Sequence, residues 1–438
     1  MAPPSYETIS KDDLFAALSS MGVKLPKSSK LSTEDLTKKL VSSLNASQQL
    51  AELFPVKNGE HVNPTSMKTW KDTENLMKMT HRGSFKEGFD NMMSAGVKQD
   101  PSKAKEETFK EMQQILLSFG REWNNGHKAF ILMDSEEEWA VIIQMLHVYA
   151  IDEKTPLYSL SFRVVSAIPN KPLKHQLEDI LVSSDSGVQF AVSVRTTELE
   201  RKVMLKLLHS NAKKLDPDFK PPGMAAKYTK KQWKLSFVLP LGPITMAELG
   251  KLTDLSGCEV CGSTKGTSRC SSCLSVLYCG TKCQSADWPR HKATCRSLKG
   301  GTWTTITFGR ASFAPAGVDT KVAMFSSLVN WNESLQGRNK EPNKVSLEDV
   351  PPNVHGDKVF LAKFQISLFA HGNNTHFLIY DRQRSFQIFW KAPEDEEAFA
   401  VAQRALGDEL KMYRFVKRTG ERTMSVCFDR PPAQNPPW

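Results

Sequence analysis

Residues 258–295 read CEVCGSTKGTSRCSSCLSVLYCGTKCQSADWPRHKATC and contain seven of the eight cysteines in a chain of 438 residues. These cysteines and His291 are spaced C-x2-C-x8-C-x2-C-x5-C-x3-C-x7-H-x3-C. Each C-x2-C pair places two sulfurs on one tight turn, and each pair of ligands four residues apart lies on one face of a helical turn. Four such pairs provide the eight ligands that two tetrahedral zinc ions need.

The eight candidate ligands leave no coordination position free for water or a substrate. Closed zinc sites of this kind are structural, and they supply folding energy to a segment with few apolar residues. Disulfides are disfavoured because seven cysteines leave one unpaired, and the histidine disfavours an iron–sulfur cluster. The spacing alone leaves open whether the pairs share metals sequentially or in an interleaved order. The ligands are Cys258, Cys261, Cys270, Cys273, Cys279, Cys283, His291 and Cys295.

The composition is that of a soluble globular protein, with 40% hydrophobic and 24% charged residues. The first residues, MAPPSYETISKDDLF, lack the basic and apolar regions of a secretory signal, and no apolar run approaches the ~20 residues of a membrane span. We therefore expect an intracellular protein, nuclear or cytoplasmic, with no membrane partner. Thiols in that reducing compartment serve as metal ligands more often than as disulfides.

The rest of the sequence predicts an α+β fold in which two mixed α+β domains flank the cysteine-rich segment. Helical periodicity predicts helices over residues 109–119, 136–149, 197–208 and 394–406. Short β-rich runs predict strands at 129–133, 157–165, 188–194, 233–239, 303–308, 359–369, 377–381, 385–390 and 423–428. Strands and helices that mix without a regular βαβ repeat favour α+β over a doubly wound sheet.

The predicted organisation begins with a helical N-terminal segment, in which leucines recur at helical spacing after the capping-like residues Ser10 and Ser32. This segment resembles a SAP-type helix pair, a nucleic-acid-binding module, and the alternative is a helix pair that packs on the rest of the protein. The predicted divisions are residues 1–55 for the helical segment, 56–105 for an irregular connection, 106–250 for the first α+β domain, 258–295 for the zinc segment, 301–430 for the second α+β domain, and 431–438 for a proline-rich tail.

The zinc segment resembles a MYND-type zinc finger. The resemblance rests on the eight ligands, on Tyr278 directly before Cys279, and on the run CQSADWPRHK at residues 283–292. It implies a small zinc-stapled cross-brace with two structural Zn²⁺ ions. The runs LIYDRQRSFQIFW (378–390) and YRFVKRTGERTMSVCFDRPP (413–432) are similar to the C-terminal parts of uncharacterised fungal MYND-finger proteins. The implied ligand sets are Cys258, Cys261, Cys279 and Cys283 for the first zinc and Cys270, Cys273, His291 and Cys295 for the second.

The resemblance also implies a binding role, because MYND fingers take proline-rich peptides in a shallow groove. Gln284 and Trp288 match that groove in this sequence. An exposed indole stacks well on proline rings, and a preformed extended peptide loses little entropy when it docks. The alternative for Trp288 is a packing role that seals the small zinc core.

An enzyme is the main competing class, because MYND fingers often accompany a SET methyltransferase domain. Such a domain would bring an Asn-His-Ser cofactor motif and a second group of zinc-binding cysteines, and the sequence contains neither. Cys427 is the one cysteine outside the zinc segment, and no GxSxG, P-loop, GxGxxG or HExxH motif is present. On these grounds the sequence predicts no catalytic residues and a protein that is not an enzyme.

Two functional hypotheses remain from the sequence. The first is a zinc-binding adaptor whose finger, through Gln284 and Trp288, docks a partner protein with a proline-rich segment. The alternative is a chromatin- or nucleic-acid-associated regulator, suggested by the net charge of +10, the sequence pI of 9.0 and the lysine-rich residues 213–231.

Overall fold

The computed structural model describes residues 6–25, 30–54, 61–71, 75–82, 108–134, 138–169, 171–183, 191–222, 233–244, 246–253, 257–263, 265–307, 353, 355–366, 376–382, 386–392 and 395–432. Their contacts divide into two compact units. The first contains residues up to Val23 and Thr33–Ile244, and the second contains Lys24–Ser32 and the described residues from 246 onwards.

The first unit has seven helices and six strands among the described residues. The helices are α1 (Lys11–Ser20), α2 (Thr33–Ser47), α3 (Leu50–Leu53), α4 (Leu76–Thr80), α5 (Thr108–Asn124), α6 (Leu173–Ser183) and α7 (Glu198–Ala212). The strands are β1 (Lys68–Thr69), β2 (Ala129–Met133), β3 (Trp139–Asp152), β4 (Thr155–Ser166), β5 (Ala191–Arg195) and β6 (Lys234–Val238).

These strands form one twisted sheet in the order β5-β2-β3-β4-β6, and β1 pairs with the far end of β3. All neighbours are antiparallel except β2 and β5, which run parallel. Helix α5 covers one face of the sheet, where the Phe119 ring lies 4.6 Å from the Phe130 ring. Helix α6 covers the other face, where Leu173 and Leu177 pack with Ile131. Because both faces are covered, the central strands are buried on both sides.

A buried amide pair joins α2, α7 and β6 in this unit. Asn211 is fully buried, and its Nδ2 donates to Gln48 Oε1 and to the Phe237 carbonyl, both at 2.8 Å. Gln48 Oε1 also accepts from the Leu239 N–H at 3.2 Å. Buried polar groups are tolerated when they are paired in this way, so the two amides fix the position of α2 against the sheet edge.

The second unit contains the cysteine-rich segment and a separate sheet. Its helices are α8 (Met246–Thr253), α9 (Thr281–Lys299) and α10 (Glu396–Leu406). Strands β7 (Ser268–Arg269) and β8 (Leu277–Tyr278) pair within the cysteine-rich segment. The remaining strands are β9 (Trp303–Thr307), β10 (Phe360–Ile366), β11 (His376–Asp381), β12 (Gln387–Lys391), β13 (Lys411–Arg418) and β14 (Thr423–Cys427).

This second sheet is antiparallel throughout, in the order β12-β11-β10-β13-β14-β9. Helix α10 packs on one face, where the rings of Phe377, Trp390 and Phe399 lie 5.0–6.1 Å apart. The helix begins at the N-cap Asp395, whose side chain accepts from the Ala398 N–H, and acidic residues in its first turn favour the helix dipole.

The α+β fold class is confirmed, but one predicted element is wrong. The residues predicted as a helix over 136–149 form the long strand β3, Trp139–Asp152. Because this strand is buried on both faces it has no period-two alternation, and its apolar positions also match helical spacing. The structure further contains α6 and β13, which the sequence did not predict. The predicted domain boundaries stay predictions.

Some predicted segments fall wholly or partly outside the described residues. These are parts of the connection at 56–105, residues 223–231 of the lysine-rich stretch, and residues 433–438 of the proline-rich tail. Within the described part of the chain, no helix combines the length and the apolar character that crossing a membrane requires.

We expect the substitution Asn211→Ala to lower the free energy of unfolding by about 1–3 kcal/mol, because it removes the shorter of two side-chain donors to the Phe237 carbonyl and one of the two donors to Gln48 Oε1. Urea unfolding followed by circular dichroism measures the change. The matched control is Asn125→Ala, an exposed asparagine of the same unit, for which we expect a change within about 0.5 kcal/mol. Equal effects of the two substitutions would contradict this account of the amide pair.

Candidate metal centre

Two tight turns present the first two ligand pairs. In one, the Gly262 N–H donates to the Cys258 carbonyl at 2.8 Å, and Gly262 has a φ of +75°. In the other, the Leu274 N–H donates to the Cys270 carbonyl at 2.8 Å, and Leu274 has a φ of +56°. A left-handed residue after the second cysteine reverses the chain and directs both sulfurs to the same side.

The other ligands come from the end of β8 and from α9. Cys279 follows β8 directly, and Cys283, His291 and Cys295 lie on α9. The helix begins at Thr281 after Gly280 and continues through Pro289 to Lys299. One helix therefore contributes ligands to both clusters.

The first cluster consists of Cys258, Cys261, Cys279 and Cys283, whose sulfurs all lie within 4.8 Å of one another. The Sγ atoms of Cys261 and Cys279 are 3.4 Å apart, and those of Cys279 and Cys283 are 3.5 Å apart. Cys258 is buried, Cys261 is exposed and the other two are half-buried.

The second cluster consists of Cys270, Cys273, His291 and Cys295, again within 4.8 Å, and all four residues are buried. The Sγ atoms of Cys270 and Cys295 are 3.7 Å apart, and His291 Nε2 lies 3.5 Å from Cys273 Sγ. The grouping is interleaved along the chain, as the resemblance implied and as the spacing alone could not decide.

The thiols of the first cluster show why it fits a cation. Burial opposes ionisation of Cys258, but N–H groups of Cys261 and Cys279 outweigh it and lower the Cys258 pKa to about 6. Contacts with Cys261, Cys283 and Cys258 then raise the pKa of Cys279 to about 12. One thiolate forms readily and opposes the next, so four thiolates at this spacing need a positive ion between them.

The second cluster behaves in the same way. Burial opposes ionisation of Cys270, but hydrogen bonds from Cys273 and His291 lower its pKa to about 6. Burial and the contact with Cys270 raise the pKa of Cys295 to about 12. A divalent ion such as zinc, bound by thiolate and imidazole ligands in tetrahedral geometry, would offset the repulsion between thiolates in both clusters.

The clusters therefore fit two structural zinc ions, and the predicted cofactors are confirmed. Protein ligands fill all eight positions, so neither ion has an open position for substrate. No other group of three or more possible metal ligands lies within the described ranges.

A hydrogen-bonded network fixes α9 next to the ligands. The Tyr278 hydroxyl donates to Asp287 Oδ2 at 2.7 Å, and Arg290 Nε donates to Asp287 Oδ1 at 2.8 Å. Arg290 also donates to Glu259 at 2.7 Å, which joins the helix to the first turn. Burial opposes ionisation of Asp287, but Tyr278 and Arg290 outweigh it and lower its pKa. Sequence reasoning missed this role, although Asp287 stands inside the quoted run, because its partners lie on other elements.

Gln284 and Trp288 lie one helical turn apart on α9. Trp288 is 40% exposed, whereas Gln284 is half-buried. The indole of Trp288 makes an edge contact with the His291 ring, at 6.2 Å between centroids. Trp288 therefore packs against a zinc ligand while about two fifths of the residue remains exposed. The structure places the two predicted groove residues on one helix face.

The cysteine-rich segment also packs on the second sheet of its own unit. Phe415 of β13 contacts the buried cluster that contains the zinc ligands, Tyr278 and Leu298. Trp303 of β9 donates from Nε1 to the Leu298 carbonyl at 3.4 Å. These contacts extend the ordered core from the ligands to the sheet.

The family model of the MYND finger matches residues 258–295. Over 144 residues the chain is 28% identical to the N-lysine methyltransferase SMYD2-B of Xenopus laevis, a match that covers 29% of this chain and 33% of that protein. It is 45% identical over 42 residues to the N-lysine methyltransferase SMYD2 of Rattus norvegicus, covering 9% and 10%. It is 40% identical over 47 residues to the human Egl nine homolog 1, covering 11% of each. The matched part is thus a third or less of each relative, and no solved structure matches the chain.

The names of the first two relatives contradict the prediction that the chain is not an enzyme. That prediction relied on missing short motifs. Active sites are assembled from residues that are distant in sequence, so the absence of known motifs is a weak test of activity.

The finger itself is settled by the agreement of ligand grouping, thiol electrostatics and family match. MYND fingers mediate contacts between proteins, so this segment is a zinc-binding interaction module. Residues 258–295 are a MYND finger, so the chain contains a zinc-finger module of this type.

Proposed function

We propose that the finger docks a proline-containing segment of a partner protein on the face of α9 that carries Gln284 and Trp288. The observation that supports this most directly is the 40% exposure of Trp288 on a helix that both zinc sites hold in place. A large apolar ring exposed on a rigid element is typical of a binding anchor.

The chemistry of the two side chains suits an extended proline-rich peptide. The indole face stacks on a proline ring, and an amide such as that of Gln284 pairs with peptide carbonyl groups, which polyproline II leaves without internal hydrogen bonds. Because such a peptide is extended before it binds, docking costs little conformational entropy. A small contact then gives useful affinity.

The zinc ions and the Asp287 network provide the rigidity that this contact needs. Cys283 and His291, which flank Trp288 on α9, belong to different clusters. Asp287, the direct neighbour of Trp288, is held by Tyr278 and Arg290. The indole is therefore positioned before the peptide arrives, which lowers the cost of association.

We expect the double substitution Gln284→Ala, Trp288→Ala to weaken binding of a proline-rich peptide by about 30-fold or more, because it removes an aromatic anchor worth about 2 kcal/mol. Fluorescence anisotropy with a labelled peptide measures affinity, and metal analysis checks that two zinc ions remain per chain.

The matched control is Leu410→Ala, which truncates another exposed apolar side chain of the same unit and should leave peptide affinity unchanged. If peptides bind equally well to the wild type and to the zinc-replete double variant, docking through Gln284 and Trp288 is wrong.

Removal of zinc by a strong chelator should abolish peptide binding, and readdition of zinc should restore it. Without the cations the clustered thiols reprotonate, so the turns and α9 lose the interactions that hold them together. Peptide anisotropy and released zinc are followed in the same titration. Binding that persists after both ions have left would show that the zinc-held helix is not the docking element.

Protein lysine methylation is our second candidate function. It is favoured by the match to SMYD2-B, which extends over 144 residues and therefore beyond the finger. In this reaction a lysine amine that has lost its proton attacks the methyl group of a sulfonium donor, which leaves as a neutral thioether. The finger would then help to recruit the protein that is methylated.

Incubation of the full chain with S-adenosylmethionine labelled in the methyl group and a mixture of histones and other proteins tests this candidate. We expect radioactivity in lysine residues that requires both the chain and the donor. A reaction without the chain provides the background. Labelling no higher than this background, together with no donor binding by calorimetry, would remove the candidate.

A further inference from the structure

The end of β14 lies beside the end of α9. After Cys427, the Asp429 carboxylate accepts from the Thr302 N–H, with both oxygens at 3.1 Å. A Cβ built on Gly301 would lie 2.5 Å from Cys427 Sγ and 3.1 Å from Arg430 Cγ. Arg430 therefore lies next to Gly301, close to the end of α9, and the C-terminal tail leaves the sheet from this position.

The sequence that starts there is RPPAQNPPW, residues 430–438. It contains two Pro-Pro pairs, Pro431–Pro432 and Pro436–Pro437, and no charged residue after Arg430. The second pair lies outside the described residues. Sequences of this composition favour the extended polyproline II conformation, the form of peptide that an exposed indole accepts.

The lengths of the two segments match. From Gly301 back to Trp288 the helix rises by about 20 Å, at 1.5 Å per residue. From Arg430 to Pro437 a polyproline II chain spans about 22 Å, at 3.1 Å per residue. Because Arg430 lies beside Gly301, a tail that runs back along α9 brings Pro436 and Pro437 to the level of Trp288.

We propose that Pro436 and Pro437 of this chain occupy the proline-binding face of its own finger. The proposal rests on the proposed peptide-binding function. It adds that a segment of the same chain occupies the binding face, so a partner segment must displace it. The tail has no acidic residue, whereas Lys292, Arg296 and Lys299 lie on α9. The proposed contact therefore involves no ion pair between side chains of residues 431–438 and the helix.

Tethering makes a weak contact sufficient. A short flexible connection gives an effective concentration in the millimolar range. With an intrinsic Kd of about 0.1 mM, the tail would occupy its site most of the time and raise the apparent Kd of a partner peptide about tenfold.

The direct test labels the full chain with 5-fluorotryptophan and follows the ¹⁹F resonance of Trp288, identified among nine tryptophans by its loss in Trp288→Phe. The variant Pro436→Ala, Pro437→Ala removes the proposed ligand but keeps the length of the tail. The matched control, Pro351→Ala, Pro352→Ala, changes another Pro-Pro pair. We expect the Trp288 resonance to shift in the tail variant and not in the control.

An unchanged Trp288 resonance in the tail variant overturns the proposal. So does a wild-type resonance that moves on dilution toward that of the tail variant, because the occupant is then the tail of a second copy. A resonance that is independent of protein concentration supports the contact within one chain.

Peptide titration separates this proposal from the proposed function. We expect the tail variant to bind an added proline-rich peptide about tenfold more tightly than the wild type or the control. Equal binding by all three overturns the tail contact and leaves peptide docking intact. If none of them binds the peptide, the proposed function fails, and the ¹⁹F shift alone decides whether the tail contacts Trp288.

Discussion

The repulsion between closely spaced thiolates is the constraint on which the finger depends. Four sulfurs within 4.8 Å cannot all ionise unless a cation lies among them, and the cation binds only when they do. Because the two ligand sets interleave along the chain, each zinc joins one early turn to β8 or α9. Neither site can form completely while the segment between its ligand pairs is unfolded, so the two sites stabilise one structure.

Order extends from the metals to the surface through short, direct contacts. Asp287 fixes the turn of α9 that carries Trp288, and Arg290 joins this turn to Glu259 beside the first ligand. In the other direction, Leu298 and Phe415 connect the finger to the second sheet. The finger is therefore held firmly within its unit, and the proposed peptide-binding face is positioned by contacts of neighbouring residues.

Sequence reasoning succeeded where local chemistry decides the outcome. Ligand types and spacing identify a zinc site almost alone, and short β-rich runs predicted strands such as β10 and β14. It failed where tertiary burial overrides local pattern: β3 is buried on both faces, so its apolar residues fitted a helix equally well. Strand β13 was missed because Lys411, Arg414 and Lys417 obscure its pattern, although Arg414 is buried and donates to three backbone carbonyls. The Arg290–Glu259 pair joins residues 31 positions apart, which no local pattern reveals.

The relatives show which part of the chain each functional argument concerns. The human Egl nine homolog 1 matches over a length close to that of the finger, and its name does not describe a methyltransferase. A finger whose zinc sites are closed to substrate does not by itself determine an activity. Any catalysis by this chain would therefore use residues outside the two closed zinc sites. In the proposed function the finger would select the partner protein, and a tail that occupies the proposed binding face would make that selection conditional on a better ligand.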